Sequence, residues 1–103
     1  MEKYVIKRSG EYLPFEAWKI RDAIEKGFQS VSVPLDEAVF TQVMDLLGTK
    51  DTWAVEEIQD LIEKTLYEKQ YFTVMRSFML YRHTRKLQRE HIEGFNEDTT
   101  YVD

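Results

Sequence analysis

Three cations stand close together near the start of the chain: Lys7 and Arg8 in the stretch Val5-Ile6-Lys7-Arg8-Ser9-Gly10, and Lys19 in Pro14-Phe15-Glu16-Ala17-Trp18-Lys19-Ile20. They flank a tight turn and the first turns of a helix, where backbone N–H groups can add to side-chain charge. Arginine offers phosphate oxygens a planar fork, and lysine a mobile point charge. A second knot, Arg82, Arg85, Lys86 and Arg89, lies near the end. Two local knots suit a small polyanion such as a polyphosphate. Spacing alone leaves a second reading open, in which the same residues form a solvated face.

The chain around these knots is acidic, with a net charge of -5 and a pI near 5.1. That balance argues against a nucleic-acid platform, which binds through a broad basic face. The lack of cysteine removes disulfides, thiolate metal sites and cysteine-based catalysis. His83 and His91 have no carboxylate-rich partner set, so no metal site is expected, and no nucleophile–base pair suggests catalysis. At 103 residues, 43% hydrophobic and 32% charged, the composition is that of one soluble globular domain with a single core. Apolar runs fall far short of the about 20 residues that span a bilayer, and no signal peptide precedes the first strand, so a cytoplasmic protein is expected.

Short elements must position the cations. Tyr4 to Leu13 reads as a β-hairpin around Arg8-Ser9-Gly10-Glu11, stopped by Pro14. Phe15 to Phe28 carries Ile20, Ala23, Ile24 and Phe28 at helical spacing. Leu35 to Leu47 is predicted as a second helix, with Pro34 at its first position, Asp36 and Glu37 opposing its dipole, and Gly48 ending it. Trp53 marks a short extra strand. A third helix spans Val55 to Glu68, with Glu56 and Glu57 in its first turn and a stripe of Val55, Ile58, Leu61, Ile62 and Leu66; Ala54 is a weak N-cap, so that start is loosely defined. A fourth runs from Tyr71 to Ile92, apolar at Val74, Met75, Phe78 and Met79 and then basic, with Gly94 as its stop. Phe40, Met44, Phe72, Met75, Phe78 and Met79 read as core or as a partner-facing patch, and Glu56, Glu57 and Glu63 as a solvated helix face. Trp18 and Trp53 belong beside either a ligand or the core. The fold class is mainly α with a small β element.

The ordered set Val5-x-Lys7-Arg8-x-Gly10, Phe15, Lys19-Ile20 and Ala23-Ile24 resembles the opening signature of the ATP-cone, a regulatory domain at the N-terminus of many ribonucleotide reductases. Val55-Glu56-Glu57-Ile58-Gln59-Asp60 is similar to the cone's third-helix motif, and Tyr81-Arg82-His83-x-Arg85 to its fourth-helix ending. The resemblance implies a four-helix bundle capped by an N-terminal β-hairpin lid over residues 1–93, with 94–103 as a linker toward a catalytic domain. It further implies allosteric binding of ATP, activating, or dATP, inhibiting, with magnesium as an allowed companion. In that reading Val5 and Ile20 enclose the adenine, Lys7, Arg8 and Lys19 hold phosphates, and Glu16 and Gln59 contact sugar or base. Phe15 and Val55 belong to the same set, and Arg82, His83 or Arg85 reaches the phosphates from the opposite side. Leu13 stands where some relatives carry a polar residue and Val55 where others carry a hydroxyl, which removes those base or ribose contacts.

The resemblance makes the fragment regulatory rather than catalytic, within a reductase that forms effector-dependent oligomers with other subunits. The ending Gly94 to Asp103 resembles the junction before the barrel of the anaerobic ribonucleoside-triphosphate reductase, with the aerobic classes as the alternative. Two further readings compete. A cone-bearing transcriptional repressor is disfavoured, because that family sets a four-cysteine zinc ribbon before its cone. A helical interaction module without ligand leaves the ordered basic signature unexplained.

Overall fold

The computed structural model describes residues 3–91. Strand β1 (Tyr4–Ile6) pairs antiparallel with β2 (Tyr12–Pro14), setting Val5 opposite Leu13. The turn between them closes through Lys7 N–H to Glu11 O at 2.8 Å and Gly10 N–H to Lys7 O at 2.9 Å. Gly10 sits at φ 89°, a left-handed conformation that glycine adopts without steric cost. Helices α1 (Ala17–Ser30) and α2 (Glu37–Leu47) follow. The chain then returns to the sheet as β3 (Thr52–Ala54), which runs parallel to β1 with Val5 opposite Trp53. The expected hairpin is thus two strands of a three-stranded sheet in the order β2-β1-β3, and the extra strand at Trp53 is present. Helices α3 (Val55–Glu68) and α4 (Phe72–His91) complete the bundle.

Helix boundaries differ from the sequence expectation where a backbone group has another partner. Phe15 N–H donates to Lys3 O at 2.9 Å, prolonging the hairpin, so Phe15 and Glu16 stay out of α1 and the helix begins at Ala17. Pro34 is not the first residue of α2. Asp36 takes the N-cap instead, its Oδ1 accepting from Ala38 N–H at 2.9 Å. For α3 the expected span holds despite the missing cap hydroxyl, because Glu57 Oε1 reaches back to Ala54 N–H at 2.9 Å. Fourth-helix residue Ile92, the Gly94 stop, the linker 94–103 and the side chain of Arg89 lie outside what the structure describes.

The core is a single cluster that joins Val5 and Trp53 of the sheet to Ile20, Ile24 and Phe28 of α1, Val39, Val43 and Leu47 of α2, Ile58, Ile62 and Leu66 of α3, and Val74 and Phe78 of α4. Trp53 is a core residue whose Nε1–H donates to Leu47 O at 3.0 Å, whereas Trp18 lies on the surface. Lys3 Nζ donates to Leu47 O and Lys50 O, each at 2.9 Å, tying the first strand to the carbonyl end of α2. Gly27 lies where α1 packs on α4, and a Cβ there would make an ordinary van der Waals contact with Val74 Cγ1 at 3.6 Å. The Met and aromatic set divides: Phe78 is buried, Phe40, Met44 and Met75 pack against the core, and Phe72 and Met79 face outward. No helix among the described residues is long and apolar enough to cross a membrane.

Candidate functional site

The sheet brings two helix starts to one end of the bundle. Helix α1 begins three residues after β2, and α3 begins at the residue after β3. Both starts lie at the sheet-capped end of the bundle, α3 beside the hairpin turn with Lys7 and Arg8, because Ala54 is level with Ile6, and α1 beside the open end of the hairpin, because Pro14 is level with Tyr4. Helix α4 returns to the same end. Ser30 Oγ meets Ser77 Oγ at 2.6 Å, Ala23 and Tyr81 line one groove farther along, and Arg82 reaches Asp60 and Glu63. Continuing that antiparallel register by one turn sets Arg85 level with Lys19 and Gln59.

Between hairpin and α3 lies an open cleft of about 340 Å³ lined by Ile6, Lys7, Arg8, Ala54, Val55 and Glu56. Arg8 crosses from the hairpin to α3, where Nη2 donates to Gln59 Oε1 at 3.1 Å and Nε lies 3.6 Å from Glu56 Oε1. Gln59 is wholly buried, so its amide oxygen holds the guanidinium in a defined place. Lys19, with a side chain only 10% exposed, has its Nζ 3.0 Å from Glu16 Oε2. The side chain of Glu16 makes no cap hydrogen bond to α1, and the first turn of that helix carries no acidic residue. By contrast, α2 and α3 are started by carboxylates of the chain itself, Asp36 and Glu57.

The predicted residues thus separate into groups. Lys7, Arg8 and Val55 share the cleft, Gln59 touches Arg8, and Glu16 pairs with Lys19. Val5, Ile20 and Val55 are buried in the core directly beneath, with Phe15 packed on its edge. Arg82 is placed differently. It donates to Glu63 and, at 3.0 Å, to Asp60. Burial pulls its pKa down, but the hydrogen bonds it donates to Glu63 and Asp60, with their charges, outweigh that and leave it above the ordinary arginine value. Arg82 pins α4 to α3, while His83 is exposed and Arg85 half-buried.

The acidic side chains of α3 do more than solvate a face. Glu56 pairs with Arg8, Glu57 receives Ala54 N–H and Lys50, and Glu63 receives Arg82. A signal for this was present in the spacing, because Glu56, Gln59, Asp60 and Glu63 form a polar stripe at helical intervals beside the apolar one.

Residues 3–87 match the ATP cone domain family. This chain belongs to that family. The cone is 38% identical over 108 residues to a vitamin B12-dependent ribonucleoside-diphosphate reductase of Thermoplasma acidophilum, covering 95% of the cone and 14% of the relative. It is 35% identical to a ribonucleoside-diphosphate reductase subunit alpha of Treponema pallidum, over 84% of the cone and 12% of that protein. An anaerobic ribonucleoside-triphosphate reductase of Salmonella typhimurium is 29% identical over 95% of the cone and 14% of its own length. The cone therefore spans about a seventh of the reductases it matches, and both diphosphate and triphosphate reductases are among them.

Proposed function

We propose that this cone binds ATP or dATP between the hairpin and the starts of α1 and α3, and that the bound nucleotide regulates a ribonucleotide reductase. The observation that supports the reading is the cleft of Lys7 and Arg8 at the start of α3, with Lys19 in the first turn of α1 at the same end of the bundle. Phosphate oxygens there gain charge-assisted hydrogen bonds as well as the field of the helix ends. Adenine is assigned to the side of Val5 and Ile20, which are buried in the core here, and the ribose to Glu16 and Gln59, the partners of Lys19 and Arg8. Arg85, level with Lys19, is the fourth-helix residue best placed to assist, because Arg82 is committed to Asp60 and Glu63. A magnesium ion accompanying the triphosphate would be held mainly by phosphate oxygens and water, as that small hard cation usually is.

The fragment acts by binding, and reduction of ribonucleotides belongs to the longer parent chain, working in the cytoplasm and in effector-dependent assemblies with its other subunits. ATP and dATP differ by one hydroxyl, and loss of one buried hydrogen bond is within the range of about 1–3 kcal/mol that allosteric coupling needs. For the parent, the likeness of the ending from Gly94 supports the anaerobic triphosphate reductase. A second reading, a diphosphate reductase, is favoured by the higher identities to the Thermoplasma and Treponema proteins.

Titration with ATP and with dATP tests the site, read by calorimetry or by the fluorescence of Trp18, whose neighbour Lys19 has its Nζ 5.8 Å from the ring centroid. Lys7→Ala and Lys19→Ala are expected to weaken both nucleotides alike, by about tenfold or more, as the loss of a hydrogen bond to a charged group implies. Unchanged affinity in both variants would remove the assignment.

A further inference from the structure

We infer that Glu56 is a built-in competitor of the nucleotide phosphates for Arg8, so that one carboxylate of α3 sets how tightly the cone holds its effector; this rests on the nucleotide site proposed above. Arg8 lies between two α3 side chains of different kinds. On one side the amide oxygen of buried Gln59 accepts from Nη2 at 3.1 Å, a neutral contact that fixes the guanidinium without cancelling its charge. On the other, Glu56 Oε1 stands 3.6 Å from Nε with 66% of its side chain exposed. Glu56 also lines the cleft that Lys7 and Arg8 enter.

A phosphate group in that cleft must take Arg8 from Glu56, while Gln59 can keep its bond. Phosphate carries more charge and more acceptor oxygens, so it prevails, but with its affinity lowered by what the ion pair was worth. Exposed pairs of this kind are weak, and the reduction is about two- to fivefold. Glu56 has its own reason to be present. A carboxylate in the first turn favours the start of α3, so the residue that opposes the ligand supports the helix.

The experiment is calorimetric titration of the 103-residue chain with ATP and with dATP, in the wild type, Glu56→Gln, Arg8→Ala, the double variant and Glu57→Gln, with thermal unfolding of each. Glu56→Gln is expected to tighten both nucleotides by the same two- to fivefold and to lose that gain when Arg8 is alanine. Glu57→Gln removes the same charge one residue along, from a side chain engaged by Ala54 N–H and Lys50, and is expected to leave affinity unchanged. An equal gain with and without Arg8, or an equal gain from Glu57→Gln, overturns the inference by making the effect one of net charge. No gain from Glu56→Gln also overturns it, yet leaves the site standing if Lys7→Ala still weakens binding. Should neither lysine variant weaken binding, the site and this inference fail together.

Discussion

Arg8 and Arg82 both reach α3, yet they do different work. The contacts of Arg8 include the neutral amide of Gln59 and, at 3.6 Å, the largely exposed carboxylate of Glu56, beside an open cleft. Arg82 is held by two carboxylates, one of them 19% exposed, between two packed helices. A cation with a loosely held, screened partner can be turned to a ligand at small cost, whereas one clamped by two anions serves the fold. The cation's partners, rather than its residue type, decide which role it takes.

The largest effect that could break this contrast is on stability. Arg82→Ala leaves Asp60 and Glu63 facing each other without their cation, and is expected to cost about 2 kcal/mol in urea unfolding. The same variant should hold ATP affinity within about twofold; a tenfold loss would place Arg82 in the site. A smaller effect comes from acid. Asp36 is held below its ordinary value of 3.8 by the Tyr71 hydroxyl and then by Ala38 N–H, and Glu57 below 4.5 by Ala54 N–H and then by Lys50. Carboxylates depressed in the folded state contribute stability that is complete above their ordinary values and is lost as pH falls through the folded ones. Stability should therefore decline between about pH 5 and pH 3, by about 1 kcal/mol from this solvent-screened pair, and the Asp36→Asn, Glu57→Gln double variant should flatten that part of the curve. The smallest change sharpens the contrast as a control. Gln70 occupies φ 66° in the turn between α3 and α4, so Gln70→Gly should add about 0.5 kcal/mol of stability with nucleotide affinity unmoved.

Much of the fold was legible because apolar spacing reports which face is buried. The stripe Val55, Ile58, Ile62 and Leu66 is core in the structure, as is Val39, Val43 and Leu47 of α2. Helix starts were less legible, since they depend on partners far along the chain. Nothing local says that Phe15 N–H is taken by Lys3 O, or that Asp36 will cap α2 in preference to Pro34 opening it. The turn at Gln70 was silent because no glycine marks its left-handed backbone. For the candidate site, the hairpin and α1 cations were readable as a cluster from short sequence separation and from the family signature. Their counter-charges were not: Arg8 with Glu56, and Arg82 with Asp60 and Glu63, are pairings made by tertiary packing, and a helix read alone shows those acids only as solvated.

Strand β1 precedes the other described elements and is also the middle of its sheet. During synthesis it finds β2 almost at once, but its other neighbour, β3, emerges only after both α1 and α2. The parallel seam of Val5 against Trp53 is thus a late long-range closure that ties residues 4–6 to residues 52–54 across two intervening helices. Removing residues 4–6 would take out the strand that both others depend on, leaving β2 and β3 without a partner and α3 without the seam that anchors its start.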